Sequence, residues 1–206
     1  LMFGGTPGVK SQCFKYNGTT FTSSGALATA TKQSGGTGIQ TLALCMGGEV
    51  PAITTITQEF NGSTWAGGGA MNQARNNCPA FGVQADAVVV GGSAAHAPAV
   101  WLAETYNGTG WTVGATMTFG REGMVASGGS PTISGTFSNE AESYNGSTWS
   151  VKSATLSTKR MGAFGTRAPT TSYLVTGGTP GYLTSTETYS ENSEPNTFVV
   201  EGQVWY

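Results

Sequence analysis

Charge is scarce in this chain. Asp, Glu, Lys and Arg together make up 10% of its 206 residues, against roughly 25% in ordinary soluble domains. The only histidine is His96 and the only aspartate is Asp86. A Ser-His-Asp triad or a His-rich metal site needs more of both, so the sequence predicts no enzyme, no metal and no cofactor. Net charge is −2, and the nine Lys and Arg are spread thinly. No basic stripe exists to neutralise phosphates, which excludes nucleic acid as a partner. No apolar run approaches the roughly 18 residues of a membrane-spanning helix, so no membrane insertion is expected. Cysteine is limited to Cys13, Cys45 and Cys78. Their spacing is not that of a metal site, and an odd count argues against a disulfide framework, although one bridge remains open. Cys45 lies in an apolar run, where a thiol serves as a small buried hydrophobe. Sustained helical periodicity is missing too, since the Ala-rich stretch 25–32 is short and Thr-rich. No secretory leader is visible, and the chain opens in mid-motif at Leu1-Met-Phe-Gly-Gly5. That opening is expected of a piece of a longer, or processed, protein.

Glycine, by contrast, is abundant, at 32 residues. The apolar fraction of 38% is too high for a disordered tail. One phrase returns along the chain. Its clearest copies are Glu104-Thr-Tyr-Asn-Gly-Thr-Gly-Trp111 and Glu142-Ser-Tyr-Asn-Gly-Ser-Thr-Trp149. Gln58 to Trp65 is a third copy, Phe14 to Phe21 a looser fourth, and Glu187 to Phe198 a fifth with a longer turn. The steps between Asn17, Asn61, Asn107 and Asn145 are 44, 46 and 38 residues, and Ser190 follows 45 residues later. A period of this size means one supersecondary unit repeated.

Two further signals recur within the period. Arg75, Arg121 and Arg160 follow the Asn by 14 or 15 residues, with Lys32 in the loose first copy. A short apolar run then ends in a glycine pair at 4–5, 47–48, 91–92 and 177–178. Each unit therefore reads as four short strands. The first follows the Arg; the second is the apolar run, whose continuous hydrophobicity implies burial on both faces. The third is Glu-x-Tyr, with Glu and aromatic on one face, and the fourth begins at the Trp. Asn-Gly between the last two is a hairpin signal, because Asn tolerates positive φ and Gly favours it. The fourth unit is short: Gly128-Gly129 arrives too soon after Arg121. Either Ser130 to Ser134 is its second strand or part of a strand is missing.

Four strands repeated about every 44 residues match a β-propeller blade. The expected fold is a single all-β domain over 1–206, a five-bladed kelch-like propeller of four-stranded antiparallel blades. The units fall at about 1–31, 32–75, 76–121, 122–160 and 161–206. Blade one starts at its second strand. The strand-like tail Val199 to Tyr206 is expected to supply the missing first strand and close the ring, since an open end leaves an edge unpaired.

The Gly-Gly pair, Glu-x-Tyr and spaced Trp resemble kelch repeats of the galactose oxidase kind. The strings Gly36 to Gly48, Glu104 to Trp111 and Ala70-Met-Asn-Gln-Ala-Arg75 are similar to kelch-like repeats in structural tail and fibre proteins of tailed phages of marine cyanobacteria and related bacteria. The resemblance spans essentially the whole chain. It implies a non-enzymatic, extracellular virion module that presents loops to other virion or appendage subunits or to a host-surface glycan or protein. The alternative is a secreted or cell-surface carbohydrate-binding propeller, and a propeller hydrolase or oxidase comes last. A copper site of the oxidase kind does not carry over, with one histidine in the chain.

Residues that recur with the period are expected to be structural. These are Glu104, Glu142 and Glu187, Arg75, Arg121 and Arg160, and Trp65, Trp111 and Trp149. The acids sit at equivalent places in three units, which suits Glu–Arg contacts better than an acid pair for glycoside hydrolysis. The periodic aromatics suit packing between blades. The candidate binding residues are instead off-period: His96, Trp101, Phe137 and Tyr182, in the variable loops 6–12, 49–57, 93–101, 130–138 and 179–184. Four Asn-Gly-Ser/Thr triplets match the glycosylation sequon, but the turn requires Asn-Gly in any case.

Overall fold

The computed structural model describes residues 1–94, 100–119, 125–128, 131–134, 139–160, 164–165, 172–179, 183–190 and 199–200. Every regular element among them is a β-strand, and every strand pairing is antiparallel. The strands form five main sheets in chain order.

The first sheet has three strands, β1 (Met2–Phe3), β2 (Cys13–Tyr16) and β3 (Phe21–Ser24), in that order. The second begins with β4 (Gly35–Ile39) and β5 (Leu42–Met46). A small two-stranded hairpin, β6 (Glu49–Val50) and β7 (Ala52–Ile53), then stands apart before β8 (Thr57–Phe60) and β9 (Trp65–Gly67) complete the order β4-β5-β8-β9. The third sheet is β10 (Ala80–Val83), β11 (Asp86–Val90), β12 (Leu102–Tyr106) and β13 (Trp111–Thr116). The fourth is β14 (Val125–Gly128), β15 (Pro131–Ser134), β16 (Glu140–Tyr144) and β17 (Trp149–Thr155). The fifth is β18 (Phe164–Gly165), β19 (Ser172–Thr176), β20 (Thr186–Ser190) and β21 (Val199–Val200).

Pro131–Ser134 pairs with both β14 and β16, so the short fourth unit keeps four strands. Its second strand occupies part of the stretch 130–138 assigned to a loop. Gly128 and Pro131 face each other at the end of the β14–β15 hairpin. Gly128 thus ends the leading strand of its sheet, unlike the other Gly-Gly pairs, which follow the apolar strand. The described part of the C-terminal tail, Val199–Val200, pairs with Glu187 and Thr186 as the outer strand of the fifth sheet.

Consecutive sheets stack face on face. Strand β5 supplies Ala43 and Cys45 to a buried cluster with Cys13, Leu27, Phe60 and Trp65. Its alternate residues, Leu44 and Met46, join Ala87, Val89, Tyr106 and Trp111 on the other side. Strand β11 repeats the division, with Val88 and Val90 packing among Phe81, Ala103, Met117 and Tyr144. Burial on both faces is why these second strands read as unbroken apolar runs. The leading strands of successive sheets also lie beside one another, β4 with β10, β10 with β14, and β14 with β18.

Each Gly-Gly pair after β1, β5, β11 and β19 has positive φ at both positions, for example 63° and 91° at Gly47 and Gly48. Two consecutive left-handed residues are costly for any other amino acid. The pair is also crowded: a Cβ on Gly47 would lie 2.3 Å from the Arg75 carbonyl oxygen.

The Asn-Gly hairpins turn through four residues, not through the two of a type I′ hairpin. Tyr16 pairs with Phe21 and Tyr106 with Trp111, leaving four residues in each turn. Only the glycine takes positive φ, 98° at Gly18 and 87° at Gly108. The asparagine acts through its side chain instead. Asn107 Oδ1 accepts the amides of Thr109 and Gly110 at 3.0 and 2.9 Å. Asn17, Asn61 and Asn145 accept the same two amides in their own turns. These are Asx turns, which need a short side-chain carbonyl rather than a left-handed backbone.

Candidate functional site

The repeat acids and arginines meet in the connectors that lead from one sheet to the next. Arg75 and Glu104 are fully buried, with Arg75 Nη2 2.7 Å from Glu104 Oε1. The Arg75 Nη1 donates to the carbonyls of Gly91 and Leu102 at 3.0 and 2.7 Å. Glu104 also accepts the backbone amides of Asn72 and Gln73, and the Asn72 side-chain amide. One carboxylate thereby clamps the whole 72–75 connector onto β12. Arg160 does the same at the fifth sheet, donating to the Gly177 and Ser185 carbonyls and to Glu187 Oε1. The Ser157 amide donates to the other Glu187 oxygen. Glu142 is buried and accepts the Thr118 amide at 2.7 Å. Its arginine counterpart in the repeat, Arg121, lies outside the described residues.

Between the first and second sheets the clamp is neutral. Gln58 stands in the Glu position and exchanges two hydrogen bonds with the Thr29 backbone. Thr31, not Lys32, occupies the arginine position: it is buried, and its hydroxyl lies 3.4 Å from the Gly47 carbonyl. Lys32 is one residue further on and pairs with Glu49 at 2.7 Å, both half-exposed. Its ammonium holds the Glu49 carboxyl below the usual range. Replacing Arg and Glu together leaves no unpaired charge in a buried connector, which explains why the two changes coincide.

The periodic aromatics reach back to the preceding sheet. Trp65 meets Phe3 edge-on at 5.0 Å, and Trp149 meets Phe81 at 6.4 Å. Trp111 Nε1 donates to Thr57 Oγ1 at 2.8 Å. Each Trp also stacks on the aromatic across its own turn, at 4.9 to 5.0 Å with similar tilts. The Tyr106 hydroxyl donates to Glu59 of the second sheet, and burial together with that carboxylate pushes its pKa up to about 12.

The topology sorts the loops. Second strands end and third strands begin at the Gly-Gly end, while the Asn-Gly turns lie at the opposite end. The Gly-Gly end carries the β6–β7 hairpin and Trp101, which is 53% exposed. It also carries a polar cluster in which the Asn76 side chain donates to Glu49 and Gln33. Of the four candidate binding residues, Trp101 alone is described; His96, Phe137 and Tyr182 lie outside the described residues. Among the described residues no three His, Cys, Asp or Glu side chains gather in a metal-sized group.

Two pairs of residues escaped the reading of the sequence. Gln40 and Gln84, in the β4–β5 and β10–β11 turns, donate to the carbonyls of Tyr16 and Phe60 in the preceding sheets. Gly25 and Gly69 let the next sheet's Asn-Gly turn approach: a Cβ there would lie 2.0 Å from the Ser63 oxygen and 2.3 Å from the Thr109 oxygen. Each pair is 44 residues apart, and that repetition was the available signal. No protein-family model matches this chain, and no curated protein matches it either.

Proposed function

We propose that the chain is a five-bladed, kelch-like β-propeller that works without chemistry, as a structural and adhesion module of an extracellular virion appendage such as a tail or tail fibre. The stacked sheets form a rigid body, and the loops of the Gly-Gly end present a contact surface to a host glycan or protein or to a neighbouring subunit. One observation carries this reading. Arg75, Glu104, Arg160 and Glu187 are engaged in connector clamps, while Trp101 stands exposed at the loop end. Acids held in this way are poor candidates for proton transfer, whereas an exposed indole offers a stacking face. Modest single-site affinity would be raised by many copies on one appendage.

The first sheet supports the ring. The exposed side chains of Phe14, Tyr16 and Phe21 share one of its faces, through the Tyr16–Phe21 pairing and strand alternation. The matching Tyr106 and Trp111 are buried against a preceding sheet. In a closed ring the fifth sheet takes that role for the first.

The exposed Trp101 also favours the second reading, a secreted carbohydrate-binding propeller. Binding of the purified chain to a glycan array and to host-cell envelopes tests both. Specific binding that falls at least about tenfold in Trp101→Ala, about 1.4 kcal/mol, is the expected result. Undiminished binding by that variant would remove the loop face from the proposal. Turnover of a glycan that is lost in Glu142→Gln would replace adhesion by hydrolysis.

A further inference from the structure

The strings Asn61-Gly-Ser-Thr-Trp65 and Asn145-Gly-Ser-Thr-Trp149 are identical, yet the fold holds their turns differently. Both asparagines are exposed, as is Asn107 in the third sheet. In each of these turns the asparagine carbonyl accepts the same two amides, at 2.8 to 3.0 Å. Among the described residues, the glycine amide that follows each asparagine donates no hydrogen bond. Each turn thus carries the two parts of a cyclisation, a free amide nitrogen and the neighbouring carboxamide carbon.

What differs is the bracing. The turn at 61–64 lies on Gly25 of the first sheet, where a Cβ would meet the Ser63 oxygen at 2.0 Å. A Cβ on Gly62 would lie 3.3 Å from the Thr41 oxygen, and the Gly62 carbonyl accepts Lys15 Nζ at 2.6 Å. The turn at 107–110 lies on Gly69 of the second sheet in the same way, and Gly108 rests against Ala85. Gly25 and Gly69 each stand four residues after the outer-strand aromatic, Phe21 or Trp65. The same step from Trp111 of the third sheet leads to Ala115, which packs on the cluster of Met117 and Tyr144. A methyl group there denies the fourth sheet's turn the close approach that glycine allows the other two. Among the described residues, nothing lies within 4 Å of a Cβ placed on Gly146.

We propose that Asn145 is a modification site, converting spontaneously through a succinimide with Gly146 to aspartate and isoaspartate, while bracing protects Asn61 and Asn107. Hydroxide removes the Gly146 amide proton, and the nitrogen bonds to Asn145 Cγ. The carboxamide nitrogen leaves as ammonia, taking a proton from water. A further water then opens the ring at either carbonyl. The product carries an added negative charge, and the isoaspartate form lengthens the main chain by a methylene. Ring closure swings the Asn-Gly peptide toward the side chain and breaks the two bonds of the Asx turn, so its rate follows how readily each turn opens. The site lies at the end opposite the Gly-Gly loops, so it stands or falls separately from the adhesion reading.

The test incubates the intact chain at mildly alkaline pH, natively and in urea. Peptide mass mapping follows each asparagine, with isoaspartate resolved by electron-driven fragmentation. In the native chain Asn145 should convert faster than Asn61 and Asn107 by about tenfold or more. In urea Asn145 and Asn61 should convert equally, because their local sequences match. Three results would overturn the proposal: native conversion of Asn61 or Asn107 as fast as that of Asn145; no native conversion of Asn145 over a period in which the urea-treated chain converts; and an Asn145 preference of the same size in urea, which assigns it to sequence rather than to the fold.

Discussion

The buried charges are the residues on which single changes act most strongly. Arg75 has no solvent to turn to if its partner is lost, because both members of the pair are fully buried. Arg75→Met should therefore cost about 3–5 kcal/mol, as should Glu104→Gln, since each leaves the other group unmatched. The double variant should be milder than the sum by about 1–2 kcal/mol or more. The neutral clamp of Thr31 and Gln58 is the natural precedent for that pairing. Urea denaturation of the four proteins measures the coupling, and strict additivity would mean that the two side chains act separately. The thiols make a second prediction, at high pH. Burial pushes Cys45 up to about 12 and Cys78 up to about 11. In the unfolded chain they ionise near 8.5. The folded state thus holds protons that the unfolded state releases. Stability should be complete below about pH 8.5 and fall as pH rises toward the folded values, by at most about 1.4 kcal/mol per pH unit for each thiol. Urea midpoints between pH 7 and pH 10.5 should decline, and Cys45→Ala with Cys78→Ala should flatten the decline. A midpoint that is level to pH 10.5 in the unaltered chain would contradict the burial argument.

At the scale of elements, glycine does different work at different places, and the sequence reveals some of it more readily than the rest. Gly69 has an ordinary φ, yet its missing side chain admits the turn at Thr109 and Gly110 of the next sheet. Gly69→Ala should destabilise by about 1–3 kcal/mol through overpacking. Gly67→Ala, with nothing within 4 Å of the new methyl, should be close to neutral. Thermal melts of the two variants separate a tight approach from a general glycine effect; equal shifts would refute it. The strands and hairpins were legible because their causes are local: alternation, apolar runs, and turn residues within a few positions. The Asx turns show the limit of that reading, since Asn-Gly marked the hairpin but Asn contributes a carbonyl, not a positive φ. The register of the first connector was misread by one residue, because Lys32 looks like an arginine substitute in sequence while the buried space is filled by Thr31. Gly25, Gly69, Gln40 and Gln84 went unread because their partners lie in a neighbouring sheet. Trp101 was found as an off-period aromatic, which periodicity alone identifies, but what it contacts depends on a partner surface.

For the whole molecule the question is whether the stack of sheets has ends. In a repeat array each sheet is stabilised mainly by its neighbours, so a terminal face without a neighbour leaves apolar surface wet. The first sheet exposes Tyr16 and Phe21 by 42% and 56%, whereas Tyr106 and Trp111 in the same register are 1% and 9% exposed. A face built for burial three times over in one register has the chemistry of an interface, not of a solvent-facing sheet. If the fifth sheet covers it, Phe21→Lys puts an ammonium into that interface and removes a buried aromatic. The expected loss is about 2–3 kcal/mol, the scale of burying one large apolar side chain. If the face stays in water, the same change falls within about 0.5 kcal/mol, as surface substitutions do. Trp111→Lys, at the matching site already packed on the second sheet, gives the internal reference for a covered position. A closed ring further requires a compact body, with a radius of gyration near 17 Å for this length. A near-zero effect of Phe21→Lys in a monomer of larger radius would leave the sheets as an open arc, and the proposed propeller would then have to be rebuilt around two free ends.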